Sequence, residues 1–344
     1  ERARTLGALS DGTCDIVIGT HALLSEEVSF ADLGVVVIDE QHRFGVEQRA
    51  ALRAKGRTGT GTEPDLLVMT ATPIPRTAAM VVFGDLEVIE LDELPPGRTP
   101  VSTKWARTPE MEEAAWHRVR EEVAAGHRAY VVCPLVEGSE RVQARSAVDE
   151  RHRLSNGVLS GLELGLLHGQ MRNAEKEEVM DRFRRGTTPV LVATTIVEVG
   201  VDVPEATVMV IEDAERFGIA QLHQLRGRVG RSDLPSWCYM LSESETPDAA
   251  TRLLALERTT DGFDLAETDL ELRGEGTILG ARQKGRSDLK LASLRRGDRP
   301  LISSARKAAD AILDADPSLF ANQLLGDELR LFVGEDEAKY LLKS

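Results

Sequence analysis

Cysteine is scarce in this chain, long apolar runs are missing, and positive charge is in deficit. The three cysteines, Cys14, Cys133 and Cys238, stand far apart in the sequence. Such spacing supplies neither a disulfide framework nor a zinc knuckle, and it suits a reducing compartment. No stretch nears the roughly 18 consecutive apolar residues that a membrane-crossing helix needs, so no membrane partner is expected. The formal net charge is −15. A protein that coats nucleic acid without specificity is basic, so any nucleic-acid contact here has to be local. Solenoid-period repeats are absent, and no His/Cys/Asp cluster has metal-ligand spacing. The chain opens on Glu1 without a signal-peptide pattern, as a chain that begins within a longer protein would.

What is present is the balance of a globular protein, 42% hydrophobic and 29% charged, which excludes a disordered or collagen-like chain. At roughly 100–200 residues per domain, a chain of 344 residues predicts two domains with an appendage. The runs at 15–19, 35–40 and 66–70 are short, apolar and β-branched. Continuous runs of this kind suit central strands of a parallel sheet covered on both faces. Residues 56–64, rich in glycine and threonine, read as a surface loop. Three prolines and a glycine between 94 and 100 break the pattern and predict a domain boundary. Beyond it, strands at 129–136, 164–167, 190–193 and 208–211 alternate with helices at 109–125 and 174–184. That alternation predicts a second doubly wound α/β domain. After about residue 243 the strands fade, and helices are expected at 249–258, 264–272 and 303–315.

Four stretches carry chemistry. The run at 35–40 closes in Asp39 and Glu40, followed by Gln41 and His42. Acids at the C-terminal end of a parallel strand stand where open α/β sheets place ligands. One carboxylate can hold Mg²⁺, usually through water, and the other can polarise an attacking water. A strand that simply ends in solvated acids reads the same way. Thr70 and Thr72 close the next strand and can bond the acidic pair, although a proline-terminated strand leading into a helix is an equal reading. At 193–204, Thr194 and Thr195 precede Gly200, which lets backbone approach a phosphate or sugar, and Asp202 could bond a ribose hydroxyl. The most specific stretch is 221–231, where Arg226, Arg228 and Arg231 alternate with Gly227 and Gly230. Arginines at spacing three on a short helix face can both reach a triphosphate and stabilise transition-state charge. His168, in Leu167-His168-Gly169, could meet a backbone phosphate or be a plain turn.

The order of these stretches resembles superfamily 2 helicases. The strings DEQHRFG at 39–45, TATPIPRT at 70–77, VCPLVEGSE at 132–140 and AERFGIAQLHQLRGRVGR at 214–231 resemble the motor of the RecG family of bacterial branched-DNA helicases. The related transcription-repair coupling factor shares most of these strings but normally reads DEEQRFG at the first. The resemblance implies an α/β fold of two RecA-like doubly wound parallel-sheet domains, the first incomplete, followed by a mostly helical appendage. The domains are expected at 1–94 and 95–245, a helical hairpin with the translocation-coupling motif at 246–300, and a helical extension at 301–344.

The same resemblance implies an ATP-dependent helicase that remodels branched double-stranded DNA, reversing forks and migrating Holliday junctions. It would work as a monomer in the bacterial cytoplasm at the nucleoid, with ATP and Mg²⁺ as cofactors. Asp39, Glu40, His42, Thr70, Thr72, Gln224, Arg228 and Arg231 would be catalytic. Gly200 and Asp202, with Asp39, Arg228 and Arg231, would bind nucleotide, and Asp39 would hold the metal. His168 and Thr195 would meet DNA, and in AETDLELRGEGTILGARQKG at 266–285, Arg273 and Gln283 would couple turnover to translocation. Independently of family, residues 271–307 hold ten Lys/Arg against four Asp/Glu, a phosphate-facing patch or a solvated helical appendage. No G-x-x-x-x-G-K-[ST] occurs, so the phosphate-cradling loop is absent and no ATP turnover is expected from this chain alone. A coupling translocase and a non-catalytic DNA-binding module remain the alternatives.

Overall fold

The computed structural model describes residues 2–40, 55, 64–71, 88–91, 93, 97–134, 140–194, 202–273 and 296–329. They fall into two compact units, residues 1–72 with 304–344, and residues 73–303.

In the first unit, helix α1 (Arg2–Ser10) precedes strands β1 (Val35–Ile38) and β2 (Asp65–Val68). The strands pair in parallel from Val35↔Asp65 to Ile38↔Val68. Val36 and Ile38 point inward against Leu24, Leu33 and Leu66. Val35, Val37 and Leu67 stand on the other face, more than half exposed. Among the described residues, then, the pair is covered on one face, not on both as the β-branched runs predict. The run at 15–19 is not a strand either: Ile16 and Ile18 are 81% and 93% exposed. A parallel strand exists only through its ladder to a neighbour, and no described strand pairs with this run.

The second unit is a six-stranded, all-parallel sheet in the order β3-β8-β7-β4-β6-β5. Its strands are β3 (Ser102–Ala106), β4 (Arg128–Val132), β5 (Leu164–Leu167), β6 (Val190–Ala193), β7 (Ala206–Ile211) and β8 (Trp237–Leu241). The intervening helices are α2 (Pro109–Ala124), α3 (Glu140–Asn156), α4 (Asn173–Arg185) and α5 (Ile219–Arg226). Every residue of β6 and β7 is buried, the pattern of central strands sandwiched between helix layers. One layer sets Trp116 and Val119 of α2 and Leu154 of α3 on Val131, Val192 and Val210. The other sets Phe183 of α4 and Leu222 of α5 on Tyr130, Leu191 and Met209. Local chemistry fixes the ends: Thr108 caps α2 by accepting from Met111 N, Pro109 opens its first turn, and Gly186 in the left-handed region stops α4.

The expected strands and helices of this unit are present within a few residues of their predicted ends. The elements that escape the sequence reading are α1, the edge strand β3, its neighbour β8, the charged helix α3 and the short helix α5. Helices α6 (Pro247–Arg258) and α7 (Gly262–Arg273) follow as a hairpin packed on α5. The last labelled helix, α8 (Arg299–Ala315), buries Ile302 while Leu301 and Leu313 stay about half exposed. Among the described residues no helix is long and apolar enough to cross a membrane.

Candidate functional site

Parallel strands put their C-terminal ends on one edge, and the candidate residues of each unit collect there. In the first unit, β1 delivers Asp39 and Glu40. Met69 N donates to Ile38 O at 2.8 Å, so Thr70 leaves β2 beside the acids. Asp39 Oδ1 accepts from Glu40 N at 2.8 Å, and Glu40 sits at φ 55°. A left-handed glutamate costs on the order of 1–2 kcal/mol, and strain of this kind gathers at functional sites. At this strand end Asp39 is exposed while Glu40 Oε2 is buried, so Asp39 is the carboxylate placed to meet a hydrated Mg²⁺, which asks for one or two carboxylates and keeps its waters. His42 and Thr72 lie outside the described residues.

In the second unit the arginine stretch splits in two. Helix α5 ends at Gly227, so Arg228 and Arg231 stand in the loop beyond it and not on a helix face. Within that loop Gly230 sits at φ 71°, where an added Cβ would lie 2.6 Å from Val101 Cγ2. No other residue type takes that turn against that wall without a shift. The wall is itself fastened: Thr99 Oγ1 donates to Leu234 O at 2.8 Å, and Ser102 N to Ser236 O at 2.9 Å. Arg231 is held by its own loop, its Nε donating to Gly227 O at 3.0 Å, and its Nη1 pairs with Asp202 Oδ1 at 3.3 Å. The carboxylate expected to meet a ribose is thus engaged by the arginine expected to meet a phosphate. Burial pushes the Tyr130 hydroxyl up to about 12, against the opposing pull of Arg231 and Arg228.

Arg226 plays a different part. It is 4% exposed, and its Nη1 donates to Leu256 O at 2.9 Å and to Thr259 O at 2.8 Å. Its Nη2 meets His223 Nδ1 at 3.0 Å. Burial, then the Arg226 charge, hold His223 down at about 4, so the ring is neutral near pH 7 and its Nδ1 can accept. Arg226 therefore ties α5 to the far end of α6 and to the turn of the hairpin. Its sequence signal was available: Ile219, Leu222 and Arg226 fall at i, i+3 and i+7, a core stripe.

At the ends of β5 and β6, His168 Nδ1 and Thr194 Oγ1 are buried without a hydrogen-bond partner. Burial, then the Lys176 charge, lower the His168 pKa. An orphaned buried polar group costs about 1–3 kcal/mol, a debt that a ligand at this edge would cancel. A further cluster at the ends of β4 and β7 was not foreseen. Arg153 bridges Glu150, at 2.6 Å, and Glu212, at 2.8 Å. Cys133 Sγ lies 3.6 Å from Glu212 Oε2. Burial, then the like charge of Glu150, raise Glu212 to about 8. Thr195, Gly200 and Gln283 lie outside the described residues, as does the side chain of Arg273, whose backbone ends α7.

Three family models match the chain: DEAD/DEAH box helicase over residues 1–81, the helicase conserved C-terminal domain over 114–233, and ATP-dependent DNA helicase RecG, domain 3, C-terminal, over 259–329. With the all-parallel sheets they define the class, two RecA-like helicase-type domains followed by a helical part. The chain is 49% identical to the ATP-dependent DNA helicase RecG of Synechocystis sp. over 91% of its length and 37% of the relative's. The RecG of Acidithiobacillus ferridurans is also 49% identical, over 92% of this chain and 45% of its own. A solved structure of RecG bound to a three-way DNA junction superposes with a TM-score of 0.65 at 43% identity, covering 88% of this chain and 38% of that one. The chain belongs to the RecG family. It spans less than half the length of these relatives.

Proposed function

We propose that the chain is the motor part of an ATP-dependent double-stranded DNA translocase that remodels branched DNA, reversing forks and migrating Holliday junctions. The observation that carries this reading is the arginine loop, anchored on one side to Asp202 and joined through the Arg226 contacts to the α6–α7 hairpin. Asp39, through water, and Glu40 would hold Mg²⁺ and orient the attacking water, with His42, Thr70 and Thr72 beside them. When bound, ATP and Mg²⁺ supply the phosphoryl-transfer chemistry. Arg228 and Arg231 would stabilise the charge that develops on the transferred group, and Gln224 would orient nucleotide or water. Gly200 and Asp202 would line the nucleotide site.

The orphaned His168 and Thr194 atoms, with Thr195, would meet DNA backbone. Arg273 and Gln283 would pass domain motion to the duplex. The domain limits near residues 94, 245 and 300 belong to the same reading, as do a monomeric state and a place in the bacterial cytoplasm at the nucleoid. Because the 344 residues contain no phosphate-cradling loop, the chain by itself turns over no ATP.

The test is ATP-dependent unwinding of a synthetic three-way junction by the full-length protein, with Arg228→Ala as control. Removal of one such arginine should cost about 10³-fold or more in turnover. Unwinding that persists in the control removes Arg228 from catalysis. Binding without unwinding by the intact protein refutes the motor reading.

A further inference from the structure

At the C-terminal edge of the six-stranded sheet, backbone bonds carry the ladders one step past the strands. Glu212 N donates to Val132 O at 2.9 Å, Cys133 N to Ala193 O at 2.9 Å, and Thr194 N to Leu167 O at 3.2 Å. Glu212, Cys133, Thr194 and His168 therefore stand in one row across the ends of β7, β4, β6 and β5. Neighbouring strands lie about 4.8 Å apart, which sets Glu212 roughly 10 Å from Thr194 and roughly 14 Å from His168. The shorter span is about one Debye length at 0.1 M salt, and partly buried charges are screened less than exposed ones. A charge on Glu212 is thus felt where the orphaned atoms of Thr194 and His168 stand.

Glu212 shares a single guanidinium nitrogen with a second carboxylate. Arg153 Nη2 lies 2.6 Å from Glu150 Oε1 and 2.8 Å from Glu212 Oε1. Arg153 Nε donates to both oxygens of Glu150, at 2.8 and 3.0 Å. The two carboxyl groups also hydrogen-bond each other. Such a bond needs a proton on one of them, and carboxylates this close do not both ionise without cost. Glu212 is the deeper of the two, its side chain 12% exposed against 19% for Glu150, so burial places the proton there. Burial, then the Glu150 charge, keep it in place up to about pH 8. The titratable and charged groups around the pair are Cys133 beyond β4, Arg153 of α3, and Asp213, Glu215 and Arg216 in the turn that follows β7. With the proton on, Glu150, Arg153 and Glu212 together are neutral. With it off, they carry one negative charge in the row that ends at His168.

We propose that Glu212 is a positioning residue whose acid form clamps α3 to the end of β7 and keeps the DNA-facing edge free of negative charge, so that branched-DNA binding weakens when the proton is lost. This rests on the reading of that edge as the one that meets DNA backbone. Glu212 itself touches no DNA: it acts through the charge of the row and through the hold of Arg153 on α3.

The test is the pH profile of junction binding. The full-length protein and its Glu212→Gln and Glu150→Gln variants are titrated against a Cy3-labelled three-way junction at about 0.1 M salt, without nucleotide. Anisotropy gives Kd from about pH 6.5 to about pH 9.5. Wild-type Kd should rise about threefold to tenfold across a midpoint near pH 8. Glu212→Gln, which imitates the acid form, should bind as the wild type does at the low end, at every pH. Glu150→Gln removes the like charge, so the midpoint should fall by about one pH unit. A flat wild-type profile overturns the inference. So does a Glu212→Gln variant that follows the wild-type curve, or one that binds at the low end as weakly as wild type at the high end. An unmoved midpoint in Glu150→Gln does the same. A wild-type protein that binds no junction at any pH refutes the DNA reading itself, which is a different failure.

Discussion

Arg226 offers the sharpest test of the architecture, because its burial and its partners allow the loss to be worked out. The substitution is Arg226→Met, which fills much of the space of the stem and adapts to irregular gaps. It strips the donors from two carbonyls, Leu256 O and Thr259 O, that lie within 2.9 Å of the guanidinium. The contact to Thr260 O, at 3.4 Å, is too long to weigh heavily. A buried carbonyl left unsatisfied costs about 1–3 kcal/mol, so two cost roughly 2–6 kcal/mol. Against that, a charge 4% exposed is removed from a low-dielectric site, which returns about 1–3 kcal/mol of desolvation. The net expectation is a destabilisation of about 2–3 kcal/mol. In a unit of this size that lowers Tm by about 4–12 °C. Thermal denaturation gives the total, and amide exchange locates it: protection should fall in α5, α6 and α7 before it falls in β4, β6 or β7. A Tm within 2 °C of wild type, or a loss of protection spread evenly over the sheet, would refute the view that this arginine holds the hairpin to the arginine helix.

Other outcomes follow from single contacts. Glu212 is raised to about 8 in the folded chain and lies near 4.5 when unfolded, so the folded state binds the extra proton between those values. Stability therefore declines as pH rises through that window, and Glu212→Gln should be the more stable protein at pH 9 while matching wild type near pH 5, as read by urea denaturation at both pH values. Gly230→Ala forces a left-handed alanine whose Cβ would sit 2.6 Å from Val101 Cγ2. It should cost about 2–4 kcal/mol by denaturant melting, and a cost below about 0.5 kcal/mol would show that the loop relaxes freely. Asp202→Asn weakens the tie on Arg231, whose side chain is 23% exposed. Stability should shift by less than about 1 kcal/mol, while ATP turnover by the full-length protein changes measurably. Turnover equal to wild type would detach Asp202 from the nucleotide site.

Much of this was legible in the sequence, for identifiable reasons. Strands β6 and β7 are buried at every position, and their composition is as apolar as their surroundings require. The edge strand β3, Ser102–Ala106, alternates exposed and buried residues over its first four positions with a lysine among them, too short a pattern to rise above a loop. The run at 15–19 has the composition of a strand but no ladder to any described strand, since pairing depends on residues distant in the chain. Arg228 and Arg231, expected on a helix face, stand beyond the end of α5. Spacing carries no sign of the left-handed turn at Gly230, nor of the wall formed by Val101. The Glu150, Arg153 and Glu212 cluster gave no signal at all, because it joins a helix to a strand end 59 residues away.

The contact between Gly230 and Val101 also bears on how such a chain can change over generations. The segment that leads the backbone into the sheet and the loop that carries the arginines share one wall, stitched by Thr99 to Leu234 and by Ser102 to Ser236. Bulk added on either side has to be withdrawn from the other. Positions 101 and 230 should accordingly drift as a pair, with substitutions at one tolerated only in the company of the other, although neither is a charged or catalytic residue.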